Sequence, residues 1–251
     1  MRRRGRSIKR AFVGTALLLL LALAAVAVDI ILTMPDVSDL KTHNPGTTAL
    51  IEQRVREAAR QGRGLTVQQE WVAFDRIPRL LKEAVRVSED AAFYTHNGID
   101  YVELREAIKR DLDEGRFARG GSTITQQLAK NLYLSTAKSP LRKLKEFFIA
   151  RRLEKALSKE RIFHLYLNLI ELGPGVFGVQ AAARYYFDRD VADLDLEQAV
   201  RLTAIIPRPL RTDPLGAGTW LRWRATWILK TLLAAKVIGD EEYEGTKSVF
   251  E

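Results

Sequence analysis

An uncharged stretch near the N-terminus, residues 11–28, constrains this chain more than any other feature. It is rich in leucine, alanine and valine, and after Asp29 the apolar character resumes over residues 30–32. A helix of about 20 residues rises about 30 Å, which matches the hydrocarbon thickness of a bilayer. We therefore predict a transmembrane anchor over residues 11–32. Asp29 should lie near the outer interface, where a carboxylate costs less than at the bilayer centre.

Basic residues precede this stretch, since six of the first ten residues are Arg or Lys. They supply most of the formal net charge of +9, so the charge does not indicate a nucleic-acid partner for the rest of the chain. The positive-inside rule places residues 1–10 in the cytoplasm and the C-terminal part outside. The alternative is a cleaved signal peptide with Ala25-Val26-Ala27 as its cleavage site, but the apolar run is long for that.

The absence of cysteine excludes disulfides, thiolate zinc sites and a cysteine nucleophile. The three histidines have no metal-ligand spacing, which argues against zinc. His96, in the sequence Thr95-His96-Asn97-Gly98, is expected to fix a turn rather than to perform chemistry.

The rest of the chain is patterned as one mainly helical domain. Residues 33–48 are predicted to be a linker, and residues 49–251 the domain. The predicted helices cover 49–60, 78–93, 101–114, 123–134, 140–158, 159–170, 176–187, 195–206 and 219–237. Strand alternation occurs only over Leu65 to Phe74. Three tryptophans at helical spacing are expected to pack in the core or at an interface: Trp220, Trp223 and Trp227.

The run from Gly120 to Asn131 combines two glycines with hydroxyls, amides and one lysine. Thr123-x-x-Gln126 forms a capping box, so a helix should start there. Its polar face carries Thr123, Gln126, Gln127 and Lys130, with Asn131 at the edge, and its apolar face carries Ile124, Leu128 and Leu132. A helix start beside such groups favours an anionic ligand. The alternative is an ordinary capped surface helix.

Two glutamates stand out by their surroundings. Glu89 lies at the edge of the apolar stripe of helix 78–93, whereas Asp90 is predicted to face the polar side. A partly desolvated carboxylate at that edge suits proton transfer, although a lone glutamate there is more commonly a boundary residue. Glu146 forms an i,i+4 pair with Arg142 on helix 140–158. The alternative to a functional role is an ordinary ion pair on the helix surface.

Cations are dense around Glu146. Five lie within sixteen residues of chain: Lys130, Lys138, Arg142, Lys143 and Lys145. Such a set of donors suits a diphosphate, especially through the forked guanidinium of arginine. It also suits anionic lipid headgroups, and the two interpretations are compatible.

Five ordered segments together resemble the signatures of the family 51 glycosyltransferases, and within them the monofunctional biosynthetic peptidoglycan transglycosylases. They are Glu89-Asp90-x-x-Phe93-x-x-His96-x-Gly98-Ile99-Asp100, the run Gly120 to Asn131, Arg142-Lys143-x-x-Glu146, the stretch Tyr166 to Phe187, and Leu202 to Pro214. The resemblance covers residues from about Gly64 to Lys236. It is more specific than any single motif because the order and the spacing both agree.

The resemblance implies a lysozyme-like helical fold, with a globular head and a membrane-facing jaw, on one transmembrane helix in the bacterial cytoplasmic membrane. It implies that lipid II is polymerised into β-1,4-linked glycan with inversion, with release of undecaprenyl diphosphate. Lipid II, the growing glycan strand and membrane lipids are the implied partners. Other cell-wall synthesis or division proteins are a further class of candidate partner, and nucleic acid is not expected.

The resemblance also assigns roles to residues. Glu89 matches the general base and Glu146 the second glutamate, which supports the leaving diphosphate through cations or a divalent metal (Mg or Mn). No organic cofactor is implied. Lys130 and Arg142 match phosphate-holding residues, and Lys138 and Lys145 fall where relatives often have basic groups. The polar cleft lining is matched by Ser122, Thr123, Gln127 and Asn131.

Two other functions fit parts of the sequence. A lysozyme-like enzyme that cleaves glycan would share the fold and a catalytic glutamate, but it would not need cations around a diphosphate. A non-catalytic membrane-anchored scaffold would need neither glutamate.

Overall fold

The apolar N-terminal stretch is a single helix in the computed structural model of this chain, α1 (Arg2–Leu32). Within the described residues, its part Phe12–Leu32 is the one stretch long and apolar enough to cross a membrane, with a mean hydropathy of 2.7. Most side chains of this part are exposed, as a surface in contact with lipid would be. The predicted apolar N-terminal helix is confirmed, while its orientation across a membrane stays a prediction.

The structure describes residues 2–114, 121–137 and 139–251, and for residues 2–11, 111, 112 and 114 it describes the backbone alone. Lys138, which belongs to the predicted site, and Gly120, the first residue of the run Gly120 to Asn131, lie outside the described residues. So do the side chains of the predicted cytoplasmic segment 1–10.

Helices build most of the described domain, so the predicted mainly α class is confirmed. Those after α1 are α2 (Ala49–Arg60), α3 (Arg79–Glu89), α4 (Tyr101–Glu114), α5 (Ile124–Tyr133), α6 (Pro140–Ala156), α7 (Lys159–Leu169), α8 (Val179–Phe187), α9 (Leu196–Ile205), α10 (Thr219–Ala234) and α11 (Asp240–Lys247). The predicted capping box at Thr123 and Gln126 is present at the start of α5, and Ser139 caps α6 with Pro140 in its first turn.

Several elements differ from the sequence prediction. Helix α3 ends at Glu89 rather than at residue 93, because Asp90 leaves the helical region with φ −165° and ψ 77°. Residues 176–177 are a strand, not the first turn of α8. Helix α11 was not predicted at all, since its sequence is mostly polar.

Of the strand expected over residues 65–74, only residues 68 and 69 form a strand, and they belong to a small three-stranded sheet. Its strands are β1 (Gln68–Gln69), β2 (Glu171–Gly173) and β3 (Val176–Phe177), in the order β1-β3-β2. Strand β3 is antiparallel to β2 and parallel to β1. The β2–β3 turn needs Gly175, whose φ is +79° and where an added Cβ would lie 2.5 Å from the Thr66 carbonyl oxygen. A residue with a side chain there would be strained and would clash.

Helix α7 lies at the centre of the core, with nearly all of its second half buried. It packs against α5, which also packs against α6. Asn168 of α7 is fully buried, accepts a hydrogen bond from Val72 N (2.8 Å) and donates one to Val72 O (3.2 Å). The Asn168 amide thus satisfies the backbone N–H and C=O groups of Val72, which is buried. These hydrogen bonds fix the loop against α7.

The segment predicted as a linker, residues 33–48, packs against the domain. Val37 and Leu40 are buried in the main core, and Arg161 donates to the Leu40 carbonyl oxygen at 2.7 Å. Lys145 of α6 pairs with Asp29 near the end of α1 at 2.8 Å. The end of the anchor therefore contacts the domain through both apolar packing and charge.

Candidate active site

Glu89 is the last residue of α3, and only 9% of its side chain is exposed. Its Oε2 accepts a hydrogen bond from Gln127 Nε2 at 3.0 Å. Its Oε1 lies 3.2 Å from a terminal nitrogen of Arg224 and accepts a hydrogen bond from the Ser88 hydroxyl. The carboxylate is thus largely removed from water but compensated by a cation and two neutral donors.

Gln127 is oriented by a buried tyrosine. The Tyr166 hydroxyl donates to Gln127 Oε1 at 3.0 Å, so the Gln127 amide nitrogen faces Glu89. Burial, with the charges of Glu89 and Asp90, raises the pKa of Tyr166 well above its ordinary value. Tyr166 therefore keeps its proton and stays a donor at physiological pH.

Asp90 is buried, contrary to the prediction that it faces the polar side. Its Oδ2 accepts a hydrogen bond from Ile124 N, at the start of α5, at 2.9 Å, and its Oδ1 lies 2.9 Å from His96 Nε2. His96 Nδ1 accepts from Gly98 N at 3.1 Å, which leaves Nε2 as the protonated nitrogen. The negative charge expected at the start of α5 is therefore supplied by the Asp90 carboxylate, and this hydrogen bond connects the end of α3 to the start of α5.

Glu146 is also buried, with 3% of its side chain exposed. Arg142 donates to Glu146 Oε2 at 2.6 Å, as its i,i+4 spacing predicted, and Lys143 pairs with Oε1. Lys143 also donates to the Ser122 hydroxyl at 2.8 Å, and Arg142 Nε donates to the Ala137 carbonyl oxygen. Glu146 therefore holds two cations in place beside the start of α5.

Lys130 is half-buried on the same face of α5 as Gln127. No hydrogen bond or ion pair links it to the residues that the structure describes. Burial lowers the pKa of Lys130, and the charge of Glu146 partly opposes this. A half-buried ammonium without a fixed partner among these residues is suited to an oxyanion that arrives with a ligand.

The hydroxyl and amide residues predicted to line a cleft divide into two groups. Ser122 and Gln127 are half-buried and keep contact with charged groups of the site. Thr123 and Asn131 are buried, and the Thr123 hydroxyl donates to the Gly98 carbonyl oxygen at 2.6 Å while it caps α5. Thr123 therefore stabilises the start of the helix and is not free to contact a ligand.

Lys145 does not join this group of cations. It is the next residue before Glu146, but its ammonium pairs with Asp29 of α1. Its assignment to substrate stays a prediction, as does that of Lys138, which lies outside the described residues.

Two arginines that contact buried glutamates were not identified from the sequence. Arg224 of α10 reaches Glu89 and lies over the ring of Trp227 at 4.4 Å. Arg54 of α2 binds Glu171 through two parallel hydrogen bonds of 2.7 and 2.8 Å. No local pattern could have found them, because each partner lies more than 100 residues away in the chain.

Two of the three tryptophans do not pack in the core, so for them packing at an interface stays a prediction. Trp223 is 56% exposed and Trp227 is 37% exposed. Helix α10 instead buries its other face, with Leu221, Ala225, Ile228, Leu229 and Leu232.

The acidic groups of the site do not fit a divalent metal. Both oxygens of Glu146 already accept from cations. A second group, Asp90, His96 and Asp100, brings its ligand atoms within 4.8 Å of one another. Asp90 and His96 use those atoms in the internal hydrogen bonds described above, and Asp100 caps α4 by accepting from Val102 N and Glu103 N. We derive no step through a metal.

A largely desolvated carboxylate and a group of partly buried cations meet the polar face of one helix, and this arrangement suits the class of enzymes that transfer a group from an anionic leaving group. Comparison with known proteins agrees with this class. Residues 56–233 match the family described as transglycosylase. The chain belongs to this transglycosylase family.

Its relatives include three biosynthetic peptidoglycan transglycosylases. That of Dechloromonas aromatica is 42% identical over 77% of this chain and 84% of its own length. That of Alcanivorax borkumensis is 43% identical over 79% and 78%, and that of Nitrosospira multiformis is 40% identical over 77% and 84%. Penicillin-binding protein 1A from Haemophilus influenzae is 19% identical over 73% of this chain and 18% of its own, with a TM-score of 0.42.

Proposed function

We propose that this chain is a peptidoglycan glycosyltransferase that polymerises lipid II into β-1,4-linked glycan with inversion and releases undecaprenyl diphosphate. The observation that carries the proposal is the position of two differently held glutamates, one from α3 and one from α6, against the polar face of α5. Glu89 contacts Gln127, and Glu146 holds cations beside Lys130. The first arrangement suits proton abstraction and the second suits a departing anion.

Glu89 acts as the general base. Its carboxylate takes the proton of the acceptor sugar's 4-hydroxyl as that oxygen attacks the anomeric carbon of the donor. Gln127 and Arg224 fix the direction of the carboxylate, and a positioned base of this kind contributes about 10²–10⁴-fold to a rate. The bond from the anomeric carbon to the diphosphate breaks on the opposite face, so the configuration inverts.

The diphosphate leaves as an anion and needs charge stabilisation rather than a strong acid. Lys130 and Arg142 contact its phosphates, and Lys143 adds to the positive field. Glu146 keeps Arg142 and Lys143 in their rotamers before substrate arrives, so little reorganisation is needed during the reaction. Lys138 and Lys145 are assigned to the outer part of the same ligand.

The protein resides in the bacterial cytoplasmic membrane, with residues 1–10 in the cytoplasm and the domain outside. The apolar helix α1 and the basic residues before it support this orientation. Attachment to the membrane raises the effective concentration of a lipid-borne substrate. Membrane lipids are therefore partners, and other cell-wall synthesis or division proteins are candidates for further contacts.

The test is polymerisation of purified lipid II by the full-length protein, comparing the wild type with Glu89→Gln and Glu241→Gln. Glu241 is exposed on α11 and provides a matched control. Glu89→Gln should lower the rate by about 10²–10⁴-fold while the protein stays folded, and Glu241→Gln should be neutral.

Either of two results would refute the proposal. One is release of fragments from mature glycan with no polymer formed, which indicates a lytic enzyme. The other is wild-type polymerisation by Glu89→Gln. Repeating the assay with a chelator and with added Mg²⁺ or Mn²⁺ tests the metal separately.

A further inference from the structure

Helix α6 has an outward stripe that the active site does not use. Its inward face buries Glu146, Ile149, Ala150 and Leu153. The outward stripe begins with three exposed apolar residues, Leu141, Leu144 and Phe148, which are 38–41% exposed. It continues with three exposed basic residues, Arg151, Arg152 and Lys155. This spacing places all six on one side of the helix, so the stripe changes from apolar to basic along its length.

The basic half of this stripe lines a cavity of about 920 Å³. Met34, Ser38 and Lys41, from the segment that follows α1, form part of its other wall. A cavity of this volume is large enough for a lipid headgroup together with part of its chains.

The charge of the cavity is predominantly positive. Four cations line it, Lys41, Arg151, Arg152 and Lys155, and none forms an ion pair with a residue that the structure describes. Two carboxylates also line the cavity. That of Glu154 forms an ion pair with Lys159 at 2.8 Å and accepts a hydrogen bond from the Thr125 hydroxyl at 2.6 Å. Asp36 accepts a hydrogen bond from Ser38 N at 2.9 Å. The cations therefore outnumber the available negative groups.

The cavity lies at the level where the anchor leaves the membrane. Met34 follows the candidate span Phe12–Leu32 by two residues. The Lys145–Asp29 ion pair of 2.8 Å joins the middle of α6 to the last turns of α1. The apolar half of the stripe therefore lies beside the outer end of the span, next to acyl chains, and the basic half lies beside headgroups.

We propose that this cavity binds an anionic phospholipid. The headgroup phosphate contacts Arg151, Arg152 and Lys155, and an acyl chain follows Phe148 and Leu144 toward the membrane. The site is separate from the catalytic one, since the catalytic residues of α6 face the opposite side. The proposal does not depend on the proposed catalytic activity, but it rests on the proposed placement of α1 in the membrane.

The test is native mass spectrometry of the full-length protein from detergent micelles doped with equal amounts of phosphatidylglycerol and phosphatidylcholine. The site variant is Arg151→Gln/Arg152→Gln/Lys155→Gln. The control is Arg189→Gln/Arg211→Gln/Lys230→Gln, which removes the same charge from exposed residues elsewhere. Because all six side chains are exposed, both variants should keep the wild-type melting temperature.

We expect the wild type and the control to retain phosphatidylglycerol preferentially. The site variant should lose this preference by at least about 10-fold, because each basic residue near an anionic lipid contributes about 1 kcal/mol, or about fivefold. Phe148→Ser should weaken retention without abolishing the preference. An equal loss in both triple variants, or no loss in either, would overturn the proposal. So would full competition by inorganic phosphate, which would indicate a site for free anions.

Discussion

Arg224 and Glu89 form an ion pair of 3.2 Å that joins α10 to the last residue of α3. The same guanidinium nitrogen lies 2.7 Å from the Ser88 hydroxyl and 3.1 Å from the Ser88 carbonyl oxygen. A cation at a helix C-terminus is favourable in itself, and here it also fixes the carboxylate. The position of the proposed base thus depends on a residue 135 positions later in the chain.

Replacing Arg224 should therefore impair catalysis more than substrate binding. We expect Arg224→Met to lower kcat about 10–100-fold, which corresponds to about 1.4–2.8 kcal/mol of transition-state stabilisation, with a smaller change in KM. Arg224→Lys should recover part of the loss because it keeps the charge. Steady-state polymerisation kinetics measure both. Arg222→Met, on the exposed side of the same helix, is the control, and an equal loss there would contradict the assignment.

Tyr166→Phe should misalign Gln127. Without the hydroxyl, Gln127 Oε1 lacks its donor, and the amide can rotate its oxygen toward Glu89, so kcat should fall about tenfold. Because the pKa of Tyr166 lies well above its ordinary value of 10.0, the wild-type rate should show no loss from tyrosine ionisation up to about pH 10. Tyr101→Phe, at an exposed position, is the control. A rate that falls with the ionisation of a tyrosine below that pH would exclude this role.

Lys130→Met should raise stability while it removes activity. The folded state lowers the pKa of Lys130 below its ordinary value of 10.5, so the folded state binds this proton less tightly than the unfolded state does. Protonated Lys130 therefore destabilises the fold at neutral pH, and this penalty disappears as pH rises past 10.5. Thermal unfolding should show a higher melting temperature for the variant at pH 7 and a smaller gain at alkaline pH. Polymerisation should fall about 10²–10³-fold. A lower melting temperature at pH 7 would contradict the argument.

Arg54→Met should destabilise the domain, because it leaves Glu171 buried without its partner. Breaking a buried ion pair by removing one member costs about 3–5 kcal/mol. Arg54→Lys should cost less, since it keeps the charge but loses the forked geometry. The double variant Arg54→Met/Glu171→Leu should regain much of the loss, and urea unfolding of the three proteins measures this. Equal stabilities of the single and double variants would show that the pair is uncoupled.

Local sequence signals predicted much of the helical framework. The capping residues at Thr123 and Ser139 and the apolar periodicity of Ile124, Leu128 and Leu132 act within a few turns, so they can be recognised without knowledge of the fold. The i,i+4 pair of Arg142 with Glu146 was predicted for the same reason.

Long-range contacts account for what the sequence could not predict. Asp90 ends α3 early because its side chain finds partners on His96 and at the start of α5. The helical periodicity of the sequence predicted a polar face for Asp90, because a local pattern carries no information about a hydrogen-bond partner 34 residues away. Arg224 and Arg54 were missed because their glutamates meet them only after the helices pack. The assignment of Glu89 as the general base came from the family resemblance, because its partners Gln127 and Arg224 are also distant in the chain.

The short path from the anchor to the core has a consequence for how a polymer could grow. Only four residues separate Leu32, the last residue of α1, from Val37, which is buried in the main core. With α1 as the membrane anchor, as proposed, the domain would keep a nearly constant distance from the lipid surface. An enzyme held in this way moves only in the plane of the membrane. A glycan made by such an enzyme would therefore grow at a nearly constant distance from the bilayer.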